Sequence, residues 1–402
     1  MNFPQKNDQL TGLVQHQASF LDQALIKNEL TWVELSKNAL FHNIAQYHSL
    51  IAPGVVIMPV IKSNAYGHGM IEIAQLLQEN ELVDAMAVVS LSEALILRKH
   101  RITKKIVVLS IIDTAIEQAV LHDIDLVIYD ESTAQTLSEY ALKYHVRAQV
   151  HIKIDTGLSR LGVLAPQALQ FIERIKRLSH IEIVGIFTHF ANSESDDDHF
   201  VQLQLARFNT VIAELAQQGI SIPFKHTTCS AAIGAYQEAH GSLVRFGIGL
   251  YGLWPSLENK QKTNQQHPGF SLLPVLQWKT RIIQIKSISA GSFVGYDLTH
   301  QVNRETKIAV LPVGYWDGIQ RSFSNNGVVV VKNKVAPIVG RVAMNLCMVD
   351  VTEIPEIQVN DEVLLLGDHE AITADALAQR IGTINYEVVT HINPLLHRTI
   401  TL

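Results

Sequence analysis

An apolar run, VVIMPVI (55–61), ends on Lys62, and the polar, glycine-containing loop SNAYGHG (63–69) follows at once. A buried strand that stops on a lysine sets an amine at the rim of a core. Desolvation there can lower its pKa from about 10 toward neutrality and make it nucleophilic. Tyr66 and His68 add a hydroxyl and an imidazole beside it. A strand-end lysine more often lays its stem over the core and keeps its charge in water, so Lys62 needs support from elsewhere in the chain. HIKIDTGLSRLG (151–162) supplies some, because strand alternation puts His151, Lys153 and Asp155 on one face. Polar groups on an apolar strand are costly unless paired, which leaves an ordinary buried ion pair or a functional network. LVRFGIGLYG (243–252) sets Arg245 before a Gly-Ile-Gly turn. Backbone N–H groups of such a turn can close on an anion, and tight packing accounts for the same residues equally well. THFANSESDDDHF (188–200) mixes histidines with acids. A hard-ion loop needs a denser, ordered ligand set, so the expectation is a solvated acidic loop and no metal.

Positioning these groups calls for a frame. Besides VVIMPVI, apolar, β-branched runs occur at 85–90, 105–110, 125–130, 148–154, 183–190, 224–230 and 243–252, which makes eight. Amphipathic stretches lie between them, among them KNALFHNIAQYHSLI (37–51), STAQTLSEYALKYH (132–145) and FVQLQLARFNTVIAELAQQG (200–219). Strands separated by helical crossovers imply a parallel sheet covered on both faces. Eight of them predict an N-terminal (β/α)8 TIM barrel, with a doubly wound open sheet as the alternative. Barrel chemistry sits where strands end and βα loops begin. Lys62, Asp155, His189, Ser230 and the Gly247-Ile248 turn all fall at or near such ends.

From about residue 272 the texture changes to runs punctuated by Gly and Pro: 277–291, 306–314, 327–340 and 362–367. No long helix is expected there before TADALAQRIG (373–382). The reading is an extension over 1–30, a barrel over 31–271 and a mostly-β domain over 272–402. The polar stretch SLENKQKTNQQHPG (256–269) is expected to lead into the second domain. The extension suggests an amphipathic helix through Leu10, Leu13, Val14, Leu21 and Leu25, and it lacks the apolar core of a signal peptide.

Two domains suit 402 residues. A hydrophobic fraction of 47% with 17% charged residues is ordinary for a soluble globular chain. A net charge of −6 gives no footing for nucleic acid or an anionic membrane, and no run approaches a membrane span. Cys229 and Cys347 stand far apart without metal-ligand spacing, which suits a reducing, cytoplasmic compartment.

The string VIKSNAYGHG (60–69) resembles the signature of the alanine racemase family, whose lysine holds pyridoxal 5'-phosphate (PLP) as a Schiff base; Ser63 stands where the family usually has alanine. The other motifs are similar to family segments in preserved order from about residue 31 onward. By that resemblance Arg245 meets the pyridine nitrogen of PLP and His189 supports it. Gly247 and Ile248 give backbone donors to the phosphate, and Ser230, Tyr386 and Tyr66 give hydroxyls. Lys153 takes the place of a commonly carbamylated lysine that orients Arg160, the residue positioning the phenolic oxygen and the substrate carboxylate; Ser159 replaces the usual glycine. Tyr296, a lone tyrosine that by itself reads as a half-buried packing residue, matches a second catalytic base supplied across a homodimer interface. Such a base must be partly deprotonated, so cations, Arg245 through His189, are expected to lower its pKa. Tyr315, Arg341 and Met344 match residues lining the entrance or substrate pocket.

The arginine bears on the reaction type. A guanidinium keeps its proton and can only donate to the ring nitrogen. PLP is then a weaker electron sink than it would be beside a carboxylate, and a less stabilised carbanion favours prompt reprotonation. Racemisation needs a proton acceptor on each face of the α-carbon, which a lysine and a tyrosine supply. The resemblance therefore implies interconversion of L- and D-alanine, feeding cell-wall precursor synthesis. Departures are Asn345 for aspartate, Cys229 for asparagine, and INPLLHR (392–398) without the usual arginine and proline. They keep open a racemase for serine, lysine or several amino acids. A decarboxylase on the same barrel would want a carboxylate where Arg245 stands, and a non-catalytic PLP carrier would lack the β-domain.

Overall fold

The computed structural model describes residues 30–402, and the expected N-terminal helix lies outside them. The chain forms two units. One comprises Leu35–Leu276, Asn385–Thr390 and Ile400–Leu402. The other comprises Gln277–Ile384 and His391–Thr399 with the described residues up to Glu34.

After β1 (Thr31–Ser36) and the helix Lys37–His48, the first unit is built on parallel strands. These are β2 (Val56–Pro59), β3 (Ala85–Ser90), β4 (Lys105–Ile111), β5 (Ile124–Ile128), β6 (Ala148–Asp155), β8 (Ile181–Phe187), β9 (Phe224–His226) and β10 (Leu243–Phe246). A two-residue β7 (Val163–Leu164) adds to β6. A parallel ladder runs from β3 to β9, and β10 pairs with β2 from Leu243↔Val56 to Phe246↔Pro59. The bridge Val60↔Ala87 joins β2 to β3, and the Ser242 amide donates to the Lys225 carbonyl at 3.0 Å between β9 and β10. The ring closes, so the barrel holds and the open sheet is discarded.

The predicted runs form strands, and alternate apolar residues of most of them fill the barrel. Met58, Val60, Ala85, Ala87, Val107, Val127, Phe187 and Leu243 pack as one cluster. Helix-capping residues sit at or just past several strand ends. Ser90 Oγ accepts from the Glu93 amide, and Asp130 Oδ1 accepts from the Thr133 amide at 2.8 Å. The polar stretch after 256 departs from expectation. It is a helix, Leu257–Gln266, capped by Ser256 and belonging to the barrel unit. Its buried residues are polar, so it carries no apolar period: Asn259 donates to the Ala231 carbonyl at 3.0 Å, and Thr263 fills the space above Gly234.

The second unit is mostly antiparallel β. The run 277–291 is two strands in different sheets, β11 (Leu276–Arg281) and β12 (Gln284–Ile288). Then come β13 (Thr306–Leu311), β14 (Val328–Val331), β15 (Lys334–Pro337), β16 (Cys347–Asp350), β17 (Glu362–Leu366) and β18 (His397–Thr401). One sheet is ordered β15-β14-β17-β11-β1-β18 and the other β12-β13-β16. The hairpin β14–β15 turns on Lys332 and Asn333, both at positive φ.

Candidate active site

Beyond β2 the backbone does something unusual. Ser63, Asn64, Ala65 and Tyr66 all have φ between 52° and 55°, and Gly67 follows at 86°. Left-handed conformation costs a residue with a Cβ roughly 1–2 kcal/mol, and such residues normally occur singly. This turn is held from several sides. Glu93 accepts the Ser63 amide at 2.7 Å through one oxygen and the Val89 amide at 2.9 Å through the other. Asn64 Oδ1 accepts from the Met70 amide at 3.0 Å. Gly67 lies so close to the helix Asn385–Thr390 that a Cβ would stand 1.9 Å from the Val389 carbonyl oxygen. The turn leaves Lys62 at the strand mouth with its Nζ 5.9 Å from the Tyr66 ring centre. Desolvation, then the charge of Arg160, holds the Lys62 amine below its ordinary range, with Glu93 opposing.

Arg245 rises from β10 into the barrel and is 4% exposed. Its Nη2 donates to the Thr188 carbonyl at 2.8 Å, its Nη1 donates to His189 Nδ1 at 3.4 Å, and its plane lies 5.0 Å from the Phe187 ring centre. Burial lowers the guanidinium to about 10, which leaves it charged at neutral pH. Burial and the nearby Arg245 hold His189 well below its usual range. A neutral His189 accepting at Nδ1 carries its proton on Nε2.

The Gly-Ile-Gly turn proves to be a matter of close approach. A Cβ on Gly247 would meet the Tyr66 hydroxyl at 2.3 Å, and one on Gly249 would meet the Tyr47 hydroxyl at 2.0 Å. Ser230 Oγ accepts from the Gly247 and Gly249 amides at 3.0 and 3.2 Å. Hydroxyl groups and the turn's backbone therefore converge at one spot.

The polar face of β6 divides. His151 hydrogen-bonds to His226 at 3.0 Å and lies 3.7 Å from Asp125, which pairs with Lys105 at 3.1 Å. Gly185 makes room for the His151 ring. Lys153 forms no ion pair with Asp155, whose Oδ1 instead accepts from the Gly157 and Ser159 amides at 2.9 and 3.1 Å. Lys153 is 4% exposed. Burial first, then Arg160, Arg245 and Lys62 against Asp155, lowers its amine to about 8.

A cavity of about 420 Å³ collects these groups at the strand ends. Lys62, Tyr66, Lys153, Arg160 and His189 line it, together with Ser230, Arg245, Gly247, Ile248 and Tyr386. Glu194 was not singled out in the sequence, whereas Cys229 stood there only as a departure from the family pattern. Glu194, read as part of a solvated acidic loop, accepts the Tyr386 hydroxyl proton at 3.0 Å. Cys229 also faces the cavity, its Sγ 3.1 Å from Ser193 Oγ. Tyr296, Tyr315 and Met344 belong to the other unit and are 69%, 44% and 55% exposed. Asp297 pins the Tyr296 turn by accepting from Arg341 Nε at 3.2 Å and Arg321 Nη2 at 3.4 Å. Tyr315 and Met344 lie on adjoining loops, the Tyr315 amide donating to Ala343 and the Trp316 amide to Met344.

One buried donor tests the cofactor expectation. Arg245 Nε has no hydrogen-bond partner among the described residues, although the other two guanidinium nitrogens do. A buried N–H without a partner is costly, and a pyridine nitrogen is the acceptor it lacks. A lysine of lowered pKa and a cluster of hydroxyls in the same cavity fit the aldehyde and phosphate ends of PLP. Barrel and donor set thus fit one class, the barrel-type PLP-binding proteins. Residues 35–255 match the family described as "Alanine racemase, N-terminal domain" and residues 275–400 its C-terminal domain. The alanine racemase of Halothermothrix orenii is 39% identical over 92% of this chain and 96% of its own, and that of Methanococcus maripaludis 36% over 91% and 97%. Among solved structures, the Clostridium difficile 630 alanine racemase superposes with a TM-score of 0.87 at 33% identity, covering 93% of this chain and 96% of that one. The Bacillus anthracis enzyme with bound L-Ala-P gives 0.84 at 30%, with the same coverage. The chain belongs to the alanine racemase family.

Proposed function

We propose that the chain interconverts L- and D-alanine with PLP, moving a proton off one face of the α-carbon and onto the other. The observation that carries this is Arg245, a charged donor whose Nε lacks a partner among the described residues, in the cavity that also holds Lys62. PLP supplies the electron withdrawal that makes the substrate α-proton acidic. Lys62 Nζ, its pKa lowered by burial, holds the cofactor and exchanges the proton on one face. Tyr66, Ser230 and Tyr386 give hydroxyls to the phosphate, and Gly247 and Ile248 give amides. Arg245, steadied by neutral His189, holds the ring nitrogen without protonating it. Lys153, partly neutral because its pKa is near 8, adds CO2 through its amine lone pair, releases a proton and becomes a carbamate that orients Arg160 toward the substrate carboxylate.

The second base is Tyr296 of the partner subunit in a homodimer; its exposure within one chain suits a side chain that works across an interface. Tyr315 and Met344 shape the substrate pocket from the same unit. The functional division we propose is a cofactor barrel over 31–271 and a base-supplying domain over 272–402. No helix among the described residues is long and apolar enough to cross a membrane, and two free thiols suit the cytoplasm. We assign the product, D-alanine, to peptidoglycan precursor supply.

The test is solvent deuterium incorporation and loss of optical rotation with L-alanine, run beside L-serine and L-lysine. Exchange with inversion of alanine is the expected result. Comparable inversion of serine or lysine would keep the chemistry and assign substrate choice to Cys229 and Asn345. PLP bound without exchange of any of the three would overturn the proposal.

A further inference from the structure

We infer that Glu194 is a positioning residue for cofactor loading: it holds the Tyr386 hydroxyl and must yield it to the phosphate. The inference rests on the PLP reading of the cavity. Tyr386 has one hydroxyl proton, and it is given to Glu194 Oε1 at 3.0 Å. Both residues are anchored. The Glu194 carbonyl accepts from Ser256 Oγ at 2.7 Å, and the preceding Ser193 hydroxyl meets Cys229 Sγ at 3.1 Å. The helix bearing Tyr386 is tied by Asn385 Nδ2 to the Trp254 carbonyl at 2.8 Å and packs closely on Gly67. The Tyr386 ring lies 6.2 Å from that of Tyr66, whose hydroxyl sits over Gly247 beside Ser230.

Glu194 therefore shares a wall with the proposed phosphate ligands, and it makes no ion pair with lysine or arginine among the described residues. A phosphate dianion, like a carboxylate, can only accept hydrogen bonds. Tyr386 can serve one of them and not both. Once it serves the phosphate, two anions face each other across a cavity wall. Partial desolvation at the cavity wall already raises the Glu194 carboxyl, against the lowering effect of the Tyr386 hydrogen bond, and the residue as a whole is exposed, so it can turn toward water. Loading thus works against both a hydrogen bond and a like charge.

Titration of the cofactor-free protein with PLP, followed by the visible absorbance that lysine-bound PLP develops, tests this. Pyridoxal, which lacks the phosphate, is titrated in parallel. Glu194→Gln should tighten PLP about three- to tenfold, the scale of one exposed charge at short range, and leave pyridoxal unchanged. In a Tyr386→Phe background the gain should shrink, because the hydroxyl being contested is gone. Unchanged PLP affinity, an equal effect on pyridoxal, or strict additivity of the two substitutions would overturn the inference. Failure of the wild type to bind either aldehyde would instead overturn the cofactor reading of the site, and the inference with it.

Discussion

Lys153 is buried, charged at low pH and surrounded by other cations. Its amine titrates near 8 in the fold, against 10.5 for a free lysine. Between these values the unfolded chain binds a proton that the folded chain has released, so stability rises with pH across that window. The cost of the buried charge is fully present below about 8. Lys153→Met should raise the stability of the cofactor-free protein near pH 7 by up to about 3 kcal/mol and flatten the rise toward pH 10. Urea unfolding of both proteins in CO2-free buffer checks this; an identical pH slope would count against it. Lys153, Lys62 and Arg245 were legible in the sequence because a cation at the end of an apolar run is conspicuous. Glu93 and Glu194 were not. Ser90 caps its helix at the Glu93 amide, while the Glu93 carboxylate braces the lysine turn, a role created by the fold and invisible to spacing.

At the scale of elements, the left-handed turn after Lys62 is the feature no propensity announces. Ser63, Ala65 and Tyr66 carry none of the usual signs of positive φ, and only the packed surroundings impose it. Two glycines separate conformation from crowding. Gly54 has φ 83° and nothing within 4 Å of the place a Cβ would take, whereas Gly67 has φ 86° and a carbonyl oxygen 1.9 Å from that place. Gly54→Ala should cost about 1 kcal/mol, and Gly67→Ala several kcal/mol more than that, with loss of PLP binding. Denaturant midpoints with an unchanged m-value are the measure; equal losses at both sites would mean that the helix bearing Val389 moves aside freely. The strands were legible because β-branched runs recur between amphipathic helices. The helix Leu257–Gln266 was not, because its buried positions are asparagine and threonine.

At the scale of the molecule, the sequence separated barrel from β-domain through the change in strand texture, and ring closure then followed from pairing that one dimension cannot display. If Tyr296 acts across a dimer, Lys62→Ala and Tyr296→Phe proteins should each be inactive alone. Mixed under conditions that exchange subunits, they should recover about a quarter of wild-type activity, since half the dimers are hybrids and each hybrid rebuilds one of its two sites. No recovery despite demonstrated exchange would place both groups on one chain. The cavity wall itself has a practical consequence. It sets Lys62, Lys153, Arg160 and Arg245 against the lone carboxylate of Glu194. Before cofactor is added, phosphate or sulfate in a purification buffer will occupy such a wall and slow reconstitution, while protecting the protein against heat by mass action.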